Sequence, residues 1–139
     1  MSAAPRLKKA SLAGAFFVSV LCAWPAQAFC PQPSGLPIVS VRHVVDGDTV
    51  KLQDGRSVRL IGINTPELAH HGRNVEPFAQ AARQRLQALV NESDGRISLQ
   101  VGKDARDHYG RTLAHAYDRS GQNHEARLLA EGLGYLAAV

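Results

Sequence analysis

The residues that decide the fold run from 49 to 63 and read TVKLQDGRSVRLIGI. Apolar and polar residues alternate on both sides of Asp54-Gly55, as expected of two half-buried strands. An Asp-Gly pair between such strands predicts a hairpin with a type I′ turn, because that turn needs positive φ at both central residues. The sequence therefore predicts antiparallel strands over residues 49–53 and 56–63.

Three further strands are predicted outside this hairpin. Residues 39–45 alternate in the same way before it. Residues 97–101 and 111–119 show the alternation again, much later in the chain. The sequence thus predicts five short strands.

Two helices are predicted from a change to helical spacing. The first begins at Glu76, with Pro77 in its first turn and Phe78 on its apolar face. The second is a short helix over residues 123–131, which Gly132 closes.

The order is three strands, a helix, two strands and a helix, which is mainly β with helices, an α+β class. It matches a five-stranded Greek-key barrel of the OB type, with one helix after strand 3 and one after strand 5. Another small α+β sheet fits the same order and is the alternative.

The N-terminus reads as a secretory signal peptide over residues 1–28. A basic start precedes an apolar stretch over 12–24, and a small-x-small cleavage site ends at Ala28. An uncleaved anchor or a buried helix is the alternative. Cleavage would leave a Pro- and Gly-rich leader over 29–37 and one domain over 38–139, secreted or periplasmic and without a membrane association.

The charge of the chain comes largely from this segment. The whole chain has 16 Lys and Arg against 12 Asp and Glu, but residues 1–28 contain three of the cations and no acid. Net basicity is therefore no argument for a nucleic-acid partner. All but two of the remaining cations are arginine, which suits phosphate or carboxylate oxygens. A compositional bias of the genome is the alternative explanation. Cys30 would be the single remaining cysteine, which excludes a disulfide-stapled miniprotein.

Three clusters have residue types that carry chemistry. The first is Asp46-Gly47-Asp48-Thr49, two carboxylates around a glycine between two predicted strands. A tight turn explains this pattern without any ligand. The same oxygen atoms are also what Ca²⁺ or Mg²⁺ prefers.

The second cluster begins at Arg59, which lies within an apolar strand. A buried guanidinium needs an anion, so Arg59 is expected to face a site at the edge of the barrel. An internal salt bridge to Asp46 or Asp48 is the alternative. Side chains with oxygen atoms follow as this strand ends, namely Asn64, Thr65 and Glu67.

The third cluster covers residues 104–111, with alternating charge and Tyr109. A solvated loop with ion pairs explains it if it stands alone. Together the three clusters offer two arginines for a phosphate, oxygen donors for a metal ion, and Glu67 to activate a water molecule.

In order and spacing, residues 46–49, 59–67 and 107–114 resemble the signature segments of the staphylococcal nuclease (thermonuclease) family. The similarity covers roughly residues 39–137. Membership implies an OB-fold barrel and a calcium-dependent endonuclease, a phosphodiesterase that hydrolyses single-stranded DNA and RNA to 3′-phosphorylated products. We also expect a monomer.

The resemblance implies a calcium site. Asp48 matches the first calcium carboxylate, Asn64 stands where the second is usually Asp, and Thr65 would contribute its backbone carbonyl. Asp46 and Asp107 would orient these groups from behind. Because Asn64 has no charge, the resemblance predicts weaker metal binding than the usual arrangement.

The resemblance also implies the catalytic groups. Glu67 matches the residue that acts as general base or positions water, and Arg59 and Arg111 match the arginines that hold the scissile phosphate. Tyr109 matches a tyrosine that contacts a terminal phosphate. His108 stands where a lysine often helps to hold phosphate, so that contact would depend on pH.

Other interpretations remain open. Family members continue beyond this region with an aromatic segment and a third helix, so the domain is expected to be short at its C-terminus, and a truncated remnant is one alternative. A catalytically inactive OB module that binds nucleic acid or protein is another, although few aromatic residues are available for stacking. A zinc site is a third, but the histidines match no usual ligand spacing: His70, His71, His108, His115 and His124.

Overall fold

A computed structural model describes residues 2–5, 32–69 and 72–137. The predicted signal segment, apart from residues 2–5, lies outside the described residues, as do Cys30, His70 and His71. Within the described ranges, no helix has the length and apolar character needed to cross a membrane.

Five strands close into a barrel. The first three are β1 (Ile38–Asp46), β2 (Thr49–Leu52) and β3 (Ser57–Leu60). With β5 (Arg96–Arg106) and β6 (Thr112–Tyr117), they pair in the order β1-β2-β3-β6-β5. The barrel closes because β1 pairs with β2 through its second half and with β5 through its first. The parallel pairing of β3 with β6 is the crossover in this Greek-key barrel, and the predicted OB-type fold is confirmed.

The hairpin between β2 and β3 forms where the sequence predicts it. Val50 lies opposite Val58, and both are buried with Leu52 and Leu60 in the barrel core. The predicted turn type is wrong, because Gly55 adopts positive φ and Asp54 does not. The Asp54 side chain instead accepts a hydrogen bond from the Arg56 backbone N–H at 3.0 Å, which stabilises a longer turn.

The predicted third strand is divided in two. β3 ends at Leu60, and a separate strand β4 (Ile63–Asn64) follows Gly62, whose φ of 81° turns the chain. β4 leaves the barrel and pairs with β7 (Tyr135–Leu136), a two-residue strand that no periodicity could predict.

Helix α1 (Ala79–Glu92) begins later than predicted. Phe78 is its N-cap residue at φ 66°, and its side chain is 74% exposed rather than on the apolar face. Pro77 consequently lies before the helix. The buried stripe of α1 packs against β1 and consists of Ala79, Ala82, Leu86, Leu89 and Val90.

Helix α2 (His124–Ala130) matches its prediction closely. The Asn123 side chain caps it by accepting from the Ala126 N–H at 2.7 Å, and Gly132 follows its end at φ 71°. α2 packs against α1 and β6. Strand β5, by contrast, extends to Arg106, so residues 104–106 form the end of a strand and not a loop.

One histidine of α2 is buried without a hydrogen-bond partner. His124 is 1% exposed, and neither ring nitrogen is bonded to any of the described residues. Burial lowers the pKa of His124 from 6.5 to about 4, although the charge of Asp118 acts in the opposite direction. His124 is therefore neutral in the folded protein at pH 7.

Replacing His124 by leucine should make the free energy of unfolding less dependent on pH below pH 7. The unfolded chain binds a proton near pH 6.5 and the folded chain only near pH 4, so stability present above pH 6.5 is lost as the pH falls. In the wild type, we expect His124 to lower the free energy of unfolding by about 2 kcal/mol between pH 7 and pH 5. Urea unfolding at both pH values measures the loss. His43→Leu, which removes an exposed histidine, should retain it, and an equal loss in His124→Leu would contradict the assignment.

Candidate active site

Asp48 connects three segments at one end of the barrel. Its Oδ2 accepts a hydrogen bond from the Thr65 N–H at 2.9 Å and lies 3.3 Å from Nη2 of Arg59. Its Oδ1 accepts from the Thr49 hydroxyl at 3.0 Å, and its backbone carbonyl accepts from the Leu60 N–H at 2.8 Å. The buried Asp48 thereby joins the loop after β1 to β3 and to β4.

Arg59 is held among oxygen atoms on this side of the barrel. Its Nη1 donates to the carbonyls of Leu60 and of Ile63, the latter at 2.9 Å, and its Nη2 donates to Oδ1 of Asn64. With the Asp48 ion pair, these contacts leave the side chain 17% exposed. The internal salt bridge that the sequence left as the alternative is therefore present.

Gly47 is required by close packing. A Cβ at this position would lie 2.7 Å from the Ala82 Cβ on α1 and 2.7 Å from the Thr65 hydroxyl oxygen. The absence of a side chain lets α1, the loop after β1 and the start of the segment after β4 come together. This packing fixes Asp46 and Asp48 on either side of the glycine.

The two carboxyl groups of this loop lie close to each other. Burial, reinforced by the negative charge of Asp48, raises the pKa of Asp46 to about 6. Oδ1 of Asp46 accepts from the Asp48 N–H at 3.3 Å. Two buried acids that repel each other form an arrangement that a bound cation would relieve.

The turn between β5 and β6 is built around Asp107. Its Oδ1 accepts from the N–H groups of Tyr109 and Arg111, and its Oδ2 accepts from Arg111 Nε at 2.7 Å. Burial opposes ionisation, but these donors outweigh it and lower the pKa of Asp107. The Arg111 guanidinium lies 5.4 Å from the centre of the Tyr109 ring, and the His108 ring lies against the same tyrosine at 3.8 Å.

A groove of about 530 Å³ runs between these parts. Val45, Thr49 and Ser57 line part of it. The rest of the lining consists of charged and aromatic side chains from three segments, namely Asp46, Glu67, Arg73, Tyr109 and Arg111. We call the groove lined by these residues the active groove. Its lining includes acids, arginines and an aromatic ring, which can bind a phosphate group and act on a water molecule.

Glu67 is held by its backbone, which leaves its side chain at the groove. Its N–H donates to Oε2 of Glu76 at 3.0 Å, and its carbonyl accepts from the Glu76 N–H at 3.0 Å. Both residues are exposed. The segment before α1 therefore presents Glu67 as a carboxylate accessible to solvent.

The residues near Asp48 suit a hard cation better than zinc. The donors are the carboxylates of Asp46 and Asp48, the Asn64 amide oxygen, which now accepts from Arg59, and the Thr65 hydroxyl. That hydroxyl is buried and has no hydrogen-bond partner among the described residues, so its oxygen is available to bind a cation. No group of three His, Cys, Asp or Glu side chains that could hold a metal occurs in the ranges described. All of these donors are oxygen atoms, which are the ligands that Ca²⁺ prefers in proteins.

The structure divides the predicted site residues into two linked sets. Four of them line the active groove: Asp46, Glu67, Tyr109 and Arg111. Four others are linked by the contacts of Asp48 with Thr65 and Arg59 and by the hydrogen bond from Arg59 to Asn64. Asp107 anchors Arg111, and His108 is exposed beside Tyr109. Sequence reasoning missed Arg73, which lines the groove from a segment with no regular periodicity.

Comparisons with known proteins identify relatives of this chain. A family model described as staphylococcal nuclease homologue matches residues 57–139. The chain is 37% identical over 105 residues to endonuclease YncB of Bacillus subtilis (strain 168), covering 73% of this chain and 48% of that protein. It is 36% identical over 97 residues to a thermonuclease of Staphylococcus intermedius, covering 67% and 55% respectively. The chain thus spans about half the length of these relatives.

Gly47→Ala is expected to destabilise the protein by about 1–3 kcal/mol, because the new methyl group would overlap Ala82 and Thr65. Chemical denaturation measures this change. Gly102→Ala is the matched control, since its nearest neighbour is the flexible tip of Ile61 at 2.9 Å, which can move aside. Equal losses in the two variants would show that close packing at residue 47 does not fix the loop.

Proposed function

Because the chain belongs to the staphylococcal nuclease family, we propose that its active groove hydrolyses phosphodiester bonds of single-stranded DNA and RNA in a Ca²⁺-dependent reaction. One observation carries this proposal: Glu67, Tyr109 and Arg111 line a single groove, next to the loop that Asp48 organises. The comparisons support nuclease chemistry in general. Calcium, single-strand preference and 3′-phosphorylated products are parts of the proposal.

The proposed ligands of Ca²⁺ are Asp48, Asn64 and the Thr65 carbonyl, and the Thr65 hydroxyl and Asp46 are further oxygen donors beside them. When bound, the ion would supply positive charge to a non-bridging phosphate oxygen. Asp48 is fixed for this role by the Thr65 N–H and by Arg59. Asn64 would have to share its amide oxygen between Arg59 and the ion, which predicts weak metal binding.

In the proposed reaction, Glu67 accepts a proton from a water molecule that attacks phosphorus. The new O–P bond forms as the bond from phosphorus to the 5′ oxygen breaks, and that oxygen takes up a proton from solvent. Negative charge grows on the non-bridging oxygens during this step. Arg111 is oriented by Asp107 to neutralise it, and Arg59 adds a second positive charge beside Asp48.

Tyr109 and His108 are the proposed contacts to the substrate outside the bond that breaks. Tyr109 is 73% exposed and lies over Arg111. An exposed ring beside a guanidinium suits a nucleotide, because the ring stacks on a base or its hydroxyl donates to a phosphate.

A binding module without catalysis is the second candidate, and Phe78 favours it. The structure exposes this ring, which the sequence assigned to the apolar face of α1, and Tyr109 and Tyr135 are exposed as well. Exposed aromatic rings are what single-strand binders use. A protein that only binds single strands would not need Glu67 in the groove. Cleavage and binding by a Glu67 variant therefore distinguish the two functions.

Export and oligomeric state complete the proposal. We propose that residues 1–28 direct secretion or transfer to the periplasm and are removed after Ala28, leaving residues 38–139 as a monomeric domain behind a short leader. Mass spectrometry of the exported protein would identify its first residue.

Glu67→Gln is expected to lower the rate of cleavage about 10²- to 10⁴-fold, because glutamine cannot accept the proton from water. The assay follows fragments of labelled single-stranded DNA and RNA, with Ca²⁺ and with chelator. Glu76→Gln is the matched control, since its amide oxygen can still accept from the Glu67 N–H. Arg59→Ala would be less informative, because Arg59 contacts four oxygen atoms and its loss would disturb the loop.

Cleavage by wild type that requires Ca²⁺ and is lost in Glu67→Gln alone would support the proposal. Equal turnover in wild type and Glu67→Gln would contradict the role of Glu67. Binding of single strands without cleavage at millimolar Ca²⁺ would instead favour the binding module.

A further inference from the structure

A second groove adjoins the active groove. Its volume is about 440 Å³, and it shares Ser57, Tyr109 and Arg111 with the active groove. The β2–β3 hairpin forms one wall and the turn between β5 and β6 forms the other. The two grooves are therefore continuous across the Tyr109 and Arg111 side chains.

The second groove is strongly basic. Three cations that no catalytic role requires line it: Lys51 of β2, Arg56 of the hairpin turn and Arg106 at the end of β5. Among the described residues in its lining, Asp54 is the one acid. Arg111 lines it as well, although Asp107 outside the lining pairs with Arg111 at 2.7 Å. We call this surface the basic groove.

The contacts of these cations leave positive charge accessible. The Lys51 ammonium donates to the Ser57 hydroxyl at 3.2 Å, a neutral partner. Arg56 pairs with Asp54 at 2.9 Å, but both side chains are more than 40% exposed, so this pair is worth little in water. Arg106 is exposed and makes no ion pair within the described part of the chain.

We propose that the basic groove binds the phosphates of nucleotides next to the one that is cut, so that the substrate is a polynucleotide running from the active groove over Tyr109 onto the hairpin. This inference rests on the proposed function. Its physical basis is the release of counterions when cations meet a phosphate chain, which needs a row of positive charge and no particular base. An aromatic ring at the junction adds stacking of the kind found in single-strand channels.

Binding to oligonucleotides of two lengths tests this proposal. Fluorescence anisotropy with labelled oligothymidylates of four and twelve nucleotides, in chelator to prevent cleavage, compares wild type with the Arg56→Ala, Arg106→Ala double variant. Arg96→Ala is the matched control, because Arg96 is an exposed arginine at the opposite end of β5. Thermal melting checks that each variant is folded, and Arg106→Gln is a second, milder variant.

We expect the double variant to bind the twelve-nucleotide strand several-fold more weakly and the four-nucleotide strand as wild type does. The slope of log affinity against log salt for the longer strand should become shallower by about 1.4, or about 0.7 for each lost phosphate contact. Arg106→Gln should give half of that change, and Arg96→Ala should give none.

Three results would overturn the inference. The first is unchanged binding of the longer strand, and the second is equal weakening for both lengths or in Arg96→Ala. The third is competition by oligoglutamate as effective as that by oligothymidylate, which would assign the basic groove to acidic proteins. Cleavage of both strands is measured separately with Ca²⁺, so a wild type that cuts neither would defeat the proposed function while the binding data still decide on the basic groove.

Discussion

The buried carboxylate of Asp48 ties the loop after β1 to β3 and to the segment after β4. It holds the Thr65 N–H and the Arg59 guanidinium, and its own backbone carbonyl holds the Leu60 N–H. A buried charge is tolerated when donors and an opposite charge surround it. Satisfying Asp48 therefore fixes the loop after β1 against β3 and β4, at the end of the barrel where the active groove lies.

The arrangement links stability to chemistry. Gly47 allows α1 and Thr65 to approach the loop that contains Asp46 and Asp48. Burial of this loop, together with the charge of Asp48, raises the pKa of Asp46. Groups held in an unfavourable electrostatic arrangement commonly mark functional sites. Asp107, at the turn between β5 and β6, is the opposite case, because despite burial its hydrogen-bond donors lower its pKa and its carboxylate orients Arg111.

Much of the fold could be predicted because its main elements have strong local signals. Alternating residues around Asp54-Gly55 predicted the hairpin, and helical spacing predicted α1 and α2. The two-residue strands β4 and β7 are too short for any period, and their pairing depends on contacts far apart in sequence. Phe78 was misassigned because helical spacing continues through a residue whose φ of 66° lies outside the helix.

The site was predictable where the residue types themselves carry the chemistry. Asp46, Glu67, Tyr109 and Arg111 were singled out from sequence and share one groove. The contacts of Arg59 with Asn64 and two carbonyls could not be read from spacing, because they depend on how the chain turns after β3. Arg73 and the basic groove were missed because scattered surface arginines have no pattern until the barrel brings them together.

The most direct test of a Ca²⁺ site at Asp48 is to measure thermal stability as Ca²⁺ is added, for wild type and for Asp48→Asn. Asparagine keeps an oxygen that can accept from the Thr65 N–H but lacks the charge for a metal ion. A site filled at a hundred times its dissociation constant adds about 2.7 kcal/mol to the stability of the folded state. We predict a Tm that rises with Ca²⁺ in wild type and not in Asp48→Asn. An equal rise in both proteins, or none in wild type, would contradict this prediction.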